Sequence, residues 1–431
     1  MAAGVPEAGS REEGRGPAGG YGAAEPRRSG RRGPSVVLGV SAGIAAYKAC
    51  ELLRLLTESG HHVRVVPTGE ALRFVGEPTW AALSGNPVAT GVWDSVHEVP
   101  HVRIGQGADL VVVAPATADV LARAACGLAD DLLTNTLLTA RCPVVFAPAM
   151  HTEMWEHPAT RANVATLRRR GAIVIEPAVG RLTGADTGRG RLPDPGEIFE
   201  VCRRVLSGRR ADLTGLRLVV SAGGTREAVD PVRFLGNRSS GLQGYALART
   251  AVARGAQVTL VAANVTLPDP AGATLVRVES ALELRDAVLE AVKESDAVVM
   301  AAAVADFRPA ARSGSKIKKS SAEPEPIPLV KNPDILAELG ERRREGNAPC
   351  PRVIVGFAAE TDDVLANGRA KLARKGCDLL VVNQVGEGLA FGTPDNAAVV
   401  LGAEGERVEI PRGPKEDLAD VVWDLVARRL A

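Results

Sequence analysis

The chain lacks an excess of charge of either sign, since its 431 residues include 52 Lys and Arg against 51 Asp and Glu. A net charge near zero does not favour a nucleic-acid partner. No apolar run reaches the roughly 18 residues that span a membrane, so we expect no membrane partner. The six cysteines are scattered without the spacing of metal ligands, which is typical of free thiols in a reducing compartment. We therefore expect a cytoplasmic protein.

Residues 1–34 contain almost no large aliphatic side chains and are rich in Gly, Arg, Pro and Glu. Such a segment cannot bury enough apolar surface to offset the entropy of ordering, and it has no apolar centre typical of a secretory signal. The sequence therefore predicts a disordered tail over 1–34.

From residue 35 onward, short β-branched and aliphatic runs alternate with helical patterns, which is typical of parallel strands buried on both faces. Residues 207–215 interrupt this alternation with Gly, Arg and Asp and are interpreted as a linker. The pattern predicts two doubly wound, Rossmann-like α/β domains with parallel sheets, over 35–206 and 216–431. The predicted strands are 36–40, 63–66, 110–113, 144–146, 173–175, 218–220, 258–261, 275–278, 297–300, 353–355, 379–382 and 398–401.

Each predicted domain opens with a strand that runs into a turn of small residues and then into a helix. The first turn is Ser-Ala-Gly-Ile at 41–44, and the second is Ser-Ala-Gly-Gly-Thr at 221–225, followed by a Ser- and Gly-rich stretch at 237–244. Backbone N–H groups at a helix N-terminus bind anions. The sequence therefore predicts two sites for phosphate-bearing ligands.

Lysine is scarce, at nine of the 52 basic residues, and most of the lysines fall within 316–375. A compact ammonium contacts phosphate as a point charge, in a way that the planar guanidinium does not. Lys371 and Lys375 share a helix face, so a triphosphate would suit the cluster. A solvated basic loop is the alternative. The six clustered lysines are Lys316, Lys318, Lys319, Lys331, Lys371 and Lys375.

All six histidines precede residue 160. His151 lies just beyond a predicted strand, where ligands of open α/β sheets bind, and His101 lies in a loop before the strand at 110–113. A lone histidine is more often structural than functional, so these two residues are candidates only.

Ten segments, in this order, carry a resemblance to a known family. In the first half they are 39–48, the stretch around His101, 114–119 and 148–155; in the second half they are 230–233, 237–244, 301–307, 316–319, 331–334 and 356–361. The chain from residue 36 to its end resembles the bifunctional phosphopantothenoylcysteine decarboxylase/phosphopantothenate–cysteine ligase family of bacterial coenzyme A biosynthesis. The resemblance implies a flavodoxin-like decarboxylase domain followed by a ligase domain.

For the first half, the resemblance implies bound FMN, which would supply the electron sink that a plain cysteine carboxylate lacks during decarboxylation. It implies that His101 is the acid/base residue and that His151, where the family commonly has Asn, contacts the substrate carboxylate. Many members have a proton-donating Cys in a flap, whereas 181–186 contains none; Thr183 and Asp186 are candidates to replace it. The implied FMN contacts are Ser41, Gly43, Ile44, Thr68, Ala116 and Thr117.

For the second half, the resemblance implies CTP and Mg²⁺, with 4′-phosphopantothenate and L-cysteine joined through an acyl-cytidylate. Arg233 and Asn237 would hold phosphopantothenate, Lys316 would clamp the reacting phosphates, and Asp306 would bind the metal. Leu242 stands where the family often has Lys, so backbone N–H groups would carry more of that loop's contacts. The implied CTP contacts are Ser239, Ser240, Gly241, Met300, Ala301, Ala302, Asp306, Lys316, Pro333, Asp334, Ile335, Leu336, Phe357, Lys371 and Lys375.

Two functions stay open at this point. The first is a bifunctional enzyme; the second is an active ligase fused to a flavin-binding domain that has become structural or regulatory, which the missing flap Cys would permit. The resemblance also implies a homo-oligomer, with decarboxylase trimers and ligase dimers combined in a larger assembly such as a dodecamer.

Overall fold

The structure is a computed structural model that describes residues 33–91, 99–182, 187–208, 211–318, 326–346, 349–360, 364–384 and 395–431. Almost all of the predicted tail at 1–34 lies outside the described residues. No helix in the described ranges is both long and apolar enough to cross a bilayer.

The first half is a parallel five-stranded sheet with helices on its two faces. The strands lie in the order β2-β1-β3-β4-β5, and a separate antiparallel hairpin is formed by β6 and β7. The elements are β1 (Ser35–Val40), α1 (Ala46–Glu58), β2 (His62–Pro67), α2 (Glu77–Ser84), α3 (Pro100–Gly107), β3 (Leu110–Ala116), α4 (Ala118–Cys126), α5 (Leu132–Thr139), β4 (Val144–Pro148), α6 (Thr152–Glu156), α7 (Pro158–Arg169), β5 (Ile173–Val174), β6 (Ala178–Arg181), β7 (Thr187–Arg191) and α8 (Pro195–Leu206).

The second half is an eight-stranded sheet in the order β12-β11-β8-β13-β16-β17-β18-β19. Two antiparallel pairs lie outside this sheet, β9 with β10 and β14 with β15. The elements are β8 (Arg217–Gly223), β9 (Arg226–Ala228), β10 (Phe234–Gly236), α9 (Leu242–Ala253), β11 (Gln257–Ala263), β12 (Ala273–Val278), α10 (Ala281–Ala291), β13 (Ala297–Met300), β14 (Phe307–Pro309), β15 (Leu329–Lys331), α11 (Ile335–Glu345), β16 (Val353–Glu360), α12 (Val364–Lys375), β17 (Leu379–Gln384), β18 (Asp395–Gly402), β19 (Arg407–Pro414) and α13 (Lys415–Leu430).

Each sheet has a core on both of its faces, because alternate side chains of a strand point in opposite directions. In β1, Val36 and Leu38 pack in one apolar cluster while Val37 packs in the other. In β8, Val220 and Val219 divide in the same way. This double burial explains why the central strands are continuous aliphatic runs.

The predicted fold class is confirmed, with one structural addition at the edge of the second sheet. The predicted strand at 398–401 lies within β18, which runs antiparallel to β17 and pairs with β19. The second sheet is therefore parallel from β12 to β17 and antiparallel at its last edge.

Helix α8 joins the two halves through charged contacts. Arg203 donates to Asp417 of α13 at 2.8 Å, and Arg204 forms a buried ion pair with Asp420 of the same helix. In the predicted linker, Leu213 is fully buried in the core of the second half, and Asp212 pairs with Arg254 at 2.5 Å. The domain boundaries remain a prediction.

Candidate active sites

The first phosphate turn lies at the carboxyl edge of the first sheet. The strand order reverses between β1 and β3, and ligands of open α/β sheets bind at such a switch point, as FMN does in flavodoxin. Ser41 follows β1, donates from Oγ to the Pro115 carbonyl at 2.8 Å and accepts from the Thr117 N–H at 3.0 Å. The buried Ser41 hydroxyl thus ties the ends of β1 and β3 together and shapes the turn.

The surroundings of this turn fit a ligand with a phosphate and an apolar body. A Cβ added at Gly43 would meet nothing within 4 Å, so the turn faces open space. Ile44 and Tyr47 are 71% and 60% exposed beside it. Thr68 and Thr117 cap the helices that follow β2 and β3, with Thr68 Oγ1 accepting from Ala71 N at 3.3 Å. Ala116 is buried at the end of β3.

His101 is the second residue of α3, and its contacts lead to α5 rather than to the Ser41 turn. Its carbonyl accepts a hydrogen bond from Thr139 Oγ1 at 2.8 Å. Its Nδ1 is buried and has no hydrogen-bond partner within the described part of the chain. A buried polar atom normally has a partner, so substrate or a second copy is expected to supply one.

His151 is exposed and precedes α6, at the carboxyl end of β4. The β6–β7 hairpin packs against this segment, because Met150 N donates to the Gly190 carbonyl at 2.9 Å. Thr183 and Asp186 lie between these strands and outside the described residues. The hairpin therefore lies against the residue that precedes His151.

A cavity of about 900 Å³ lies at the carboxyl edge of the second sheet. It collects most of the predicted ligase residues, from five separate segments of the chain, together with Asn237. The predicted CTP contacts that line it are Ser239, Ser240, Gly241, Met300, Ala301, Ala302, Asp306, Pro333, Asp334, Ile335, Leu336, Phe357, Lys371 and Lys375.

Two glycines allow the Ser- and Gly-rich stretch at 237–244 to approach the sheet. Gly241 has a φ of +78°, which side chains rarely adopt, and a Cβ there would lie 2.6 Å from a methyl group of Val265. A Cβ at Gly244 would lie 2.4 Å from Ala222 Cβ. The start of α9 therefore lies against β8, which leaves room for the cavity above it.

The polar side chains of the cavity are positioned mainly by backbone contacts. Asn237 donates from Nδ2 to the Val304 carbonyl at 2.9 Å, and Asn332 donates from its backbone N–H to the Asp306 carbonyl at 2.9 Å. Lys375 forms an ion pair with Asp334, at the start of α11. The loop that carries Asp306 is therefore fixed on both sides.

Asp306 is an exposed carboxylate in the cavity wall and is the predicted metal ligand. Within the described ranges, no group of three or more His, Cys, Asp or Glu side chains could hold a metal ion. Mg²⁺ is usually bound by one or two carboxylates together with substrate phosphates, so a single Asp fits a metal that arrives with a nucleotide.

Arg233 and Lys316 are not among the residues that line the cavity. Arg233 forms two hydrogen bonds to Asp230 Oδ2, at 2.6 and 2.9 Å, and donates to the Ile317 carbonyl at 3.0 Å. The Arg233 guanidinium, together with backbone N–H groups, holds the pKa of Asp230 well below its usual value. Arg233 therefore anchors the exposed loop that carries Lys316, instead of pointing into the cavity.

A polar cluster at the cavity wall was not predicted from the sequence. Asn396 donates from Nδ2 to Gln243 Oε1 at 3.1 Å and to Asn383 Oδ1 at 3.4 Å, and Gln243 donates to the Lys415 carbonyl at 3.2 Å. Asn396 and Lys415 are buried, and burial lowers the pKa of the Lys415 ammonium. The amide side chains of this cluster come from distant parts of the sequence and form no motif of regular spacing, and Lys415 lies outside the lysine cluster at 316–375. The sequence therefore does not indicate that these residues meet.

Family models match each half of the chain. The flavoprotein family model matches residues 25–207, and the model of the DNA/pantothenate metabolism flavoprotein C-terminal domain matches residues 213–430. The coenzyme A biosynthesis bifunctional protein CoaBC of Mycolicibacterium smegmatis is 60% identical over 91% of this chain and 97% of its own length. This chain belongs to the CoaBC family. The CoaBC protein of Bacillus subtilis is 42% identical over 91% of this chain and 96% of its own.

Among solved structures, the C-terminal domain of a CoaBC protein is 34% identical and covers 51% of this chain and 98% of its own, with a TM-score of 0.43. Membership of the CoaBC family confirms the family predicted from the ordered motifs, and with it the bifunctional enzyme class. The flavoprotein match confirms that the first half is of the flavin-binding type. The individual site residues remain predictions.

Proposed function

We propose that this chain catalyses two consecutive reactions of coenzyme A biosynthesis. The second half joins 4′-phosphopantothenate to L-cysteine at the expense of CTP, and the first half decarboxylates the product to 4′-phosphopantetheine with the help of FMN. The observation that carries the ligase assignment is the cavity of about 900 Å³, which gathers every predicted CTP contact except Lys316.

In the ligase half, the substrate carboxylate must gain a leaving group before an amine can attack it. The carboxylate oxygen attacks the α-phosphorus of CTP and expels pyrophosphate, and the cysteine amine then attacks the acyl carbon and releases CMP. Lys371 and Lys375 would neutralise the phosphates, with Asp306 holding Mg²⁺ and Asn237 contacting the acyl group. Lys316 would contact the reacting phosphates from the loop that Arg233 and Asp230 hold at Ile317.

In the decarboxylase half, the Ser41 turn would hold the FMN phosphate, and the exposed Ile44 and Tyr47 would lie near its apolar part. Bound FMN would supply the electron sink for loss of carbon dioxide. His101 would move the proton at the substrate, because an imidazole suits proton transfer near neutral pH. His151 would donate a hydrogen bond to the substrate carboxylate.

The segment 181–186 lacks the Cys of many relatives, and this favours a second candidate, a ligase with a catalytically silent flavin domain. Release of carbon dioxide from supplied phosphopantothenoylcysteine separates the two functions. The bifunctional enzyme releases it, whereas the silent domain would bind flavin and release none.

We also propose a cytoplasmic homo-oligomer of decarboxylase trimers and ligase dimers. The small sheet of β14 and β15 exposes Phe307, Leu329 and Val330, which are 47%, 50% and 39% exposed, and Phe234 of β10 is 51% exposed. Such a group of apolar side chains beside an active site is typical of an interface. A second copy of this chain is the proposed partner.

The decisive test of the ligase site compares Lys316→Gln with Lys316→Arg. A clamp on the reacting phosphates stabilises the transition state, so Lys316→Gln should form phosphopantothenoylcysteine at least about a hundredfold more slowly, and Lys316→Arg should also be slower than the natural chain. Arg fails because its planar fork does not replace a compact ammonium. Both variants should keep their flavin and should still decarboxylate supplied phosphopantothenoylcysteine.

The matched control is Lys293→Gln, at an exposed lysine paired with Glu290 on the far side of the second half. It should ligate at the normal rate. Ligation at the normal rate by both Lys316 variants would show that the loop is only a solvated basic segment.

A further inference from the structure

A second cavity, of about 550 Å³, lies in the second half at the edge opposite the proposed CTP site. Its lining includes the residues just before β17 and the turn that joins β18 to β19. Gly402 of this lining pairs with Leu379, the first residue of β17, which places the cavity at the amino end of the parallel strands. No predicted site residue lines it.

Three arginines line the rim of this cavity, Arg343, Arg344 and Arg369, and the side chain of Arg343 is fixed by hydrogen bonds within the protein. Arg343 donates to Asp378 Oδ2 at 2.5 Å and to the Gly376 carbonyl at 2.7 Å. The two carboxylates of the lining are both engaged, because Asp378 also accepts from Ile354 N at 2.7 Å and Glu406 pairs with Arg429. Neither is available to neutralise a further cation.

Arg344 and Arg369 therefore carry the uncompensated charge of this rim. Arg344 donates only from Nε, to the Gly340 carbonyl at 3.3 Å, and Arg369 has no hydrogen-bond or ion-pair partner among the residues that the structure describes. Guanidinium groups present several donors in a plane and match the oxygens of phosphate. The oxygens of one phosphate group would accept hydrogen bonds from both guanidinium groups and neutralise their charge.

The inner wall of the cavity is apolar. Leu372, Leu401 and Cys377 are 8%, 2% and 3% exposed. Burial raises the pKa of the Cys377 thiol to about 11, so this cysteine stays neutral and brings no covalent chemistry. The volume lies within the roughly 300–1,000 Å³ of small-molecule sites.

We propose that this cavity binds a phosphate ester with an apolar body, its phosphate between Arg344 and Arg369 and its body against Leu372 and Leu401. The site is distinct from the CTP cavity. The described residues that line it could bind such a ligand, but they include no reactive nucleophile and no pair of groups for acid/base catalysis. It is therefore an effector site and not a third active site.

Helix α12 connects the two cavities. Lys371 and Lys375 line the first, while Arg369 and Leu372, on the same helix, line the second. A ligand that shifts α12 would change the affinity for CTP, and CTP would change the affinity for the ligand by the same factor. This coupling rests on the proposed function of the CTP cavity, whereas binding at the arginine rim does not.

The test titrates phenyl phosphate into the full-length chain by isothermal calorimetry, in the presence of saturating CTP and Mg²⁺ so that the first cavity is filled. Saturable binding is expected, together with weaker binding of inorganic phosphate, which lacks the apolar body. The double variant Arg344→Gln/Arg369→Gln should bind phenyl phosphate at least about tenfold more weakly. Arg412→Gln, at an exposed arginine of β19, should bind it normally.

The exposed single variant Arg369→Gln keeps the test valid if the double variant does not fold, and it should lose part of the affinity. Absence of saturable binding, equal affinity in the arginine variants, or mutually exclusive binding of phenyl phosphate and CTP would overturn the proposal. Equal affinities for the two phosphates would overturn the assignment of an apolar body. An unchanged affinity for CTP in the presence of phenyl phosphate would overturn the coupling through α12. It would not contradict the binding of phenyl phosphate at the arginine rim.

Discussion

The stability of this protein should depend on pH through Glu197, the third residue of α8. Burial raises the pKa of this carboxyl from 4.5 to about 7, against the opposing attraction of Arg249 in the second half. A carboxyl with a raised pKa holds its proton more tightly in the folded state than in the unfolded state. The free energy of unfolding therefore falls as the pH rises from 4.5 to about 7, and stays low above that.

The replacement Glu197→Gln mimics the protonated carboxyl and removes this dependence. At about 1.4 kcal/mol for each tenfold change in proton affinity, a pKa raised from 4.5 to about 7 corresponds to roughly 3 kcal/mol, and partial exposure of the side chain lowers this. We expect the variant to gain about 1–3 kcal/mol over the natural chain between pH 5 and pH 8. The thermal midpoint should follow at about 2–4 °C per kcal/mol.

The assay is differential scanning calorimetry of both proteins at pH 5, 6, 7 and 8, with Glu77→Gln at an exposed glutamate of α2 as control. The difference between Glu197→Gln and the natural chain should grow with pH, while the control shows no such trend. A difference that is constant over this range, or that shrinks as the pH rises, would show that folding does not raise the pKa of Glu197.

Three further variants test the two active sites. In Gly244→Ala the new Cβ would lie 2.4 Å from Ala222 Cβ, so α9 must move at a cost of roughly 1–3 kcal/mol in stability. The affinity for CTP, measured by calorimetry, should therefore fall. The control Gly69→Ala, with open space around its Cβ, should leave the affinity for CTP unchanged. Asp230→Asn weakens the anchor of the Lys316 loop, so ligation should slow while the flavin content stays the same, and equal ligation rates would contradict the anchor. His101→Asn should retain flavin and ligation but lose carbon dioxide release, and unchanged release would remove His101 from the mechanism.

The central strands could be predicted from the sequence because strands buried on both faces are continuous aliphatic runs, as in β3 and β13. The β6–β7 hairpin could not, since β7 reads Thr-Gly-Arg-Gly-Arg and carries no alternation of apolar residues. The antiparallel direction of β18 could not be predicted either, because the apolar pattern of a strand does not depend on the direction in which the strand runs.

The candidate sites were predicted in part. Lys371 and Lys375 share a helix face, and the structure places both in one cavity with the Ser- and Gly-rich stretch at 237–244. The position of Lys316 depends on the contacts of its neighbour Ile317 with Arg233 and Asp230, which join residues more than 80 positions apart. Such a contact is fixed by the tertiary fold, so spacing along the chain could not reveal it.

A single incubation of the purified chain with 4′-phosphopantothenate, L-cysteine, CTP and Mg²⁺, followed by mass spectrometry, tests both proposed activities at once. We expect equal amounts of CMP, pyrophosphate, carbon dioxide and 4′-phosphopantetheine, with FMN released when the protein is denatured. Accumulation of phosphopantothenoylcysteine without carbon dioxide would contradict the assignment of the first half, and absence of CMP would contradict that of the second.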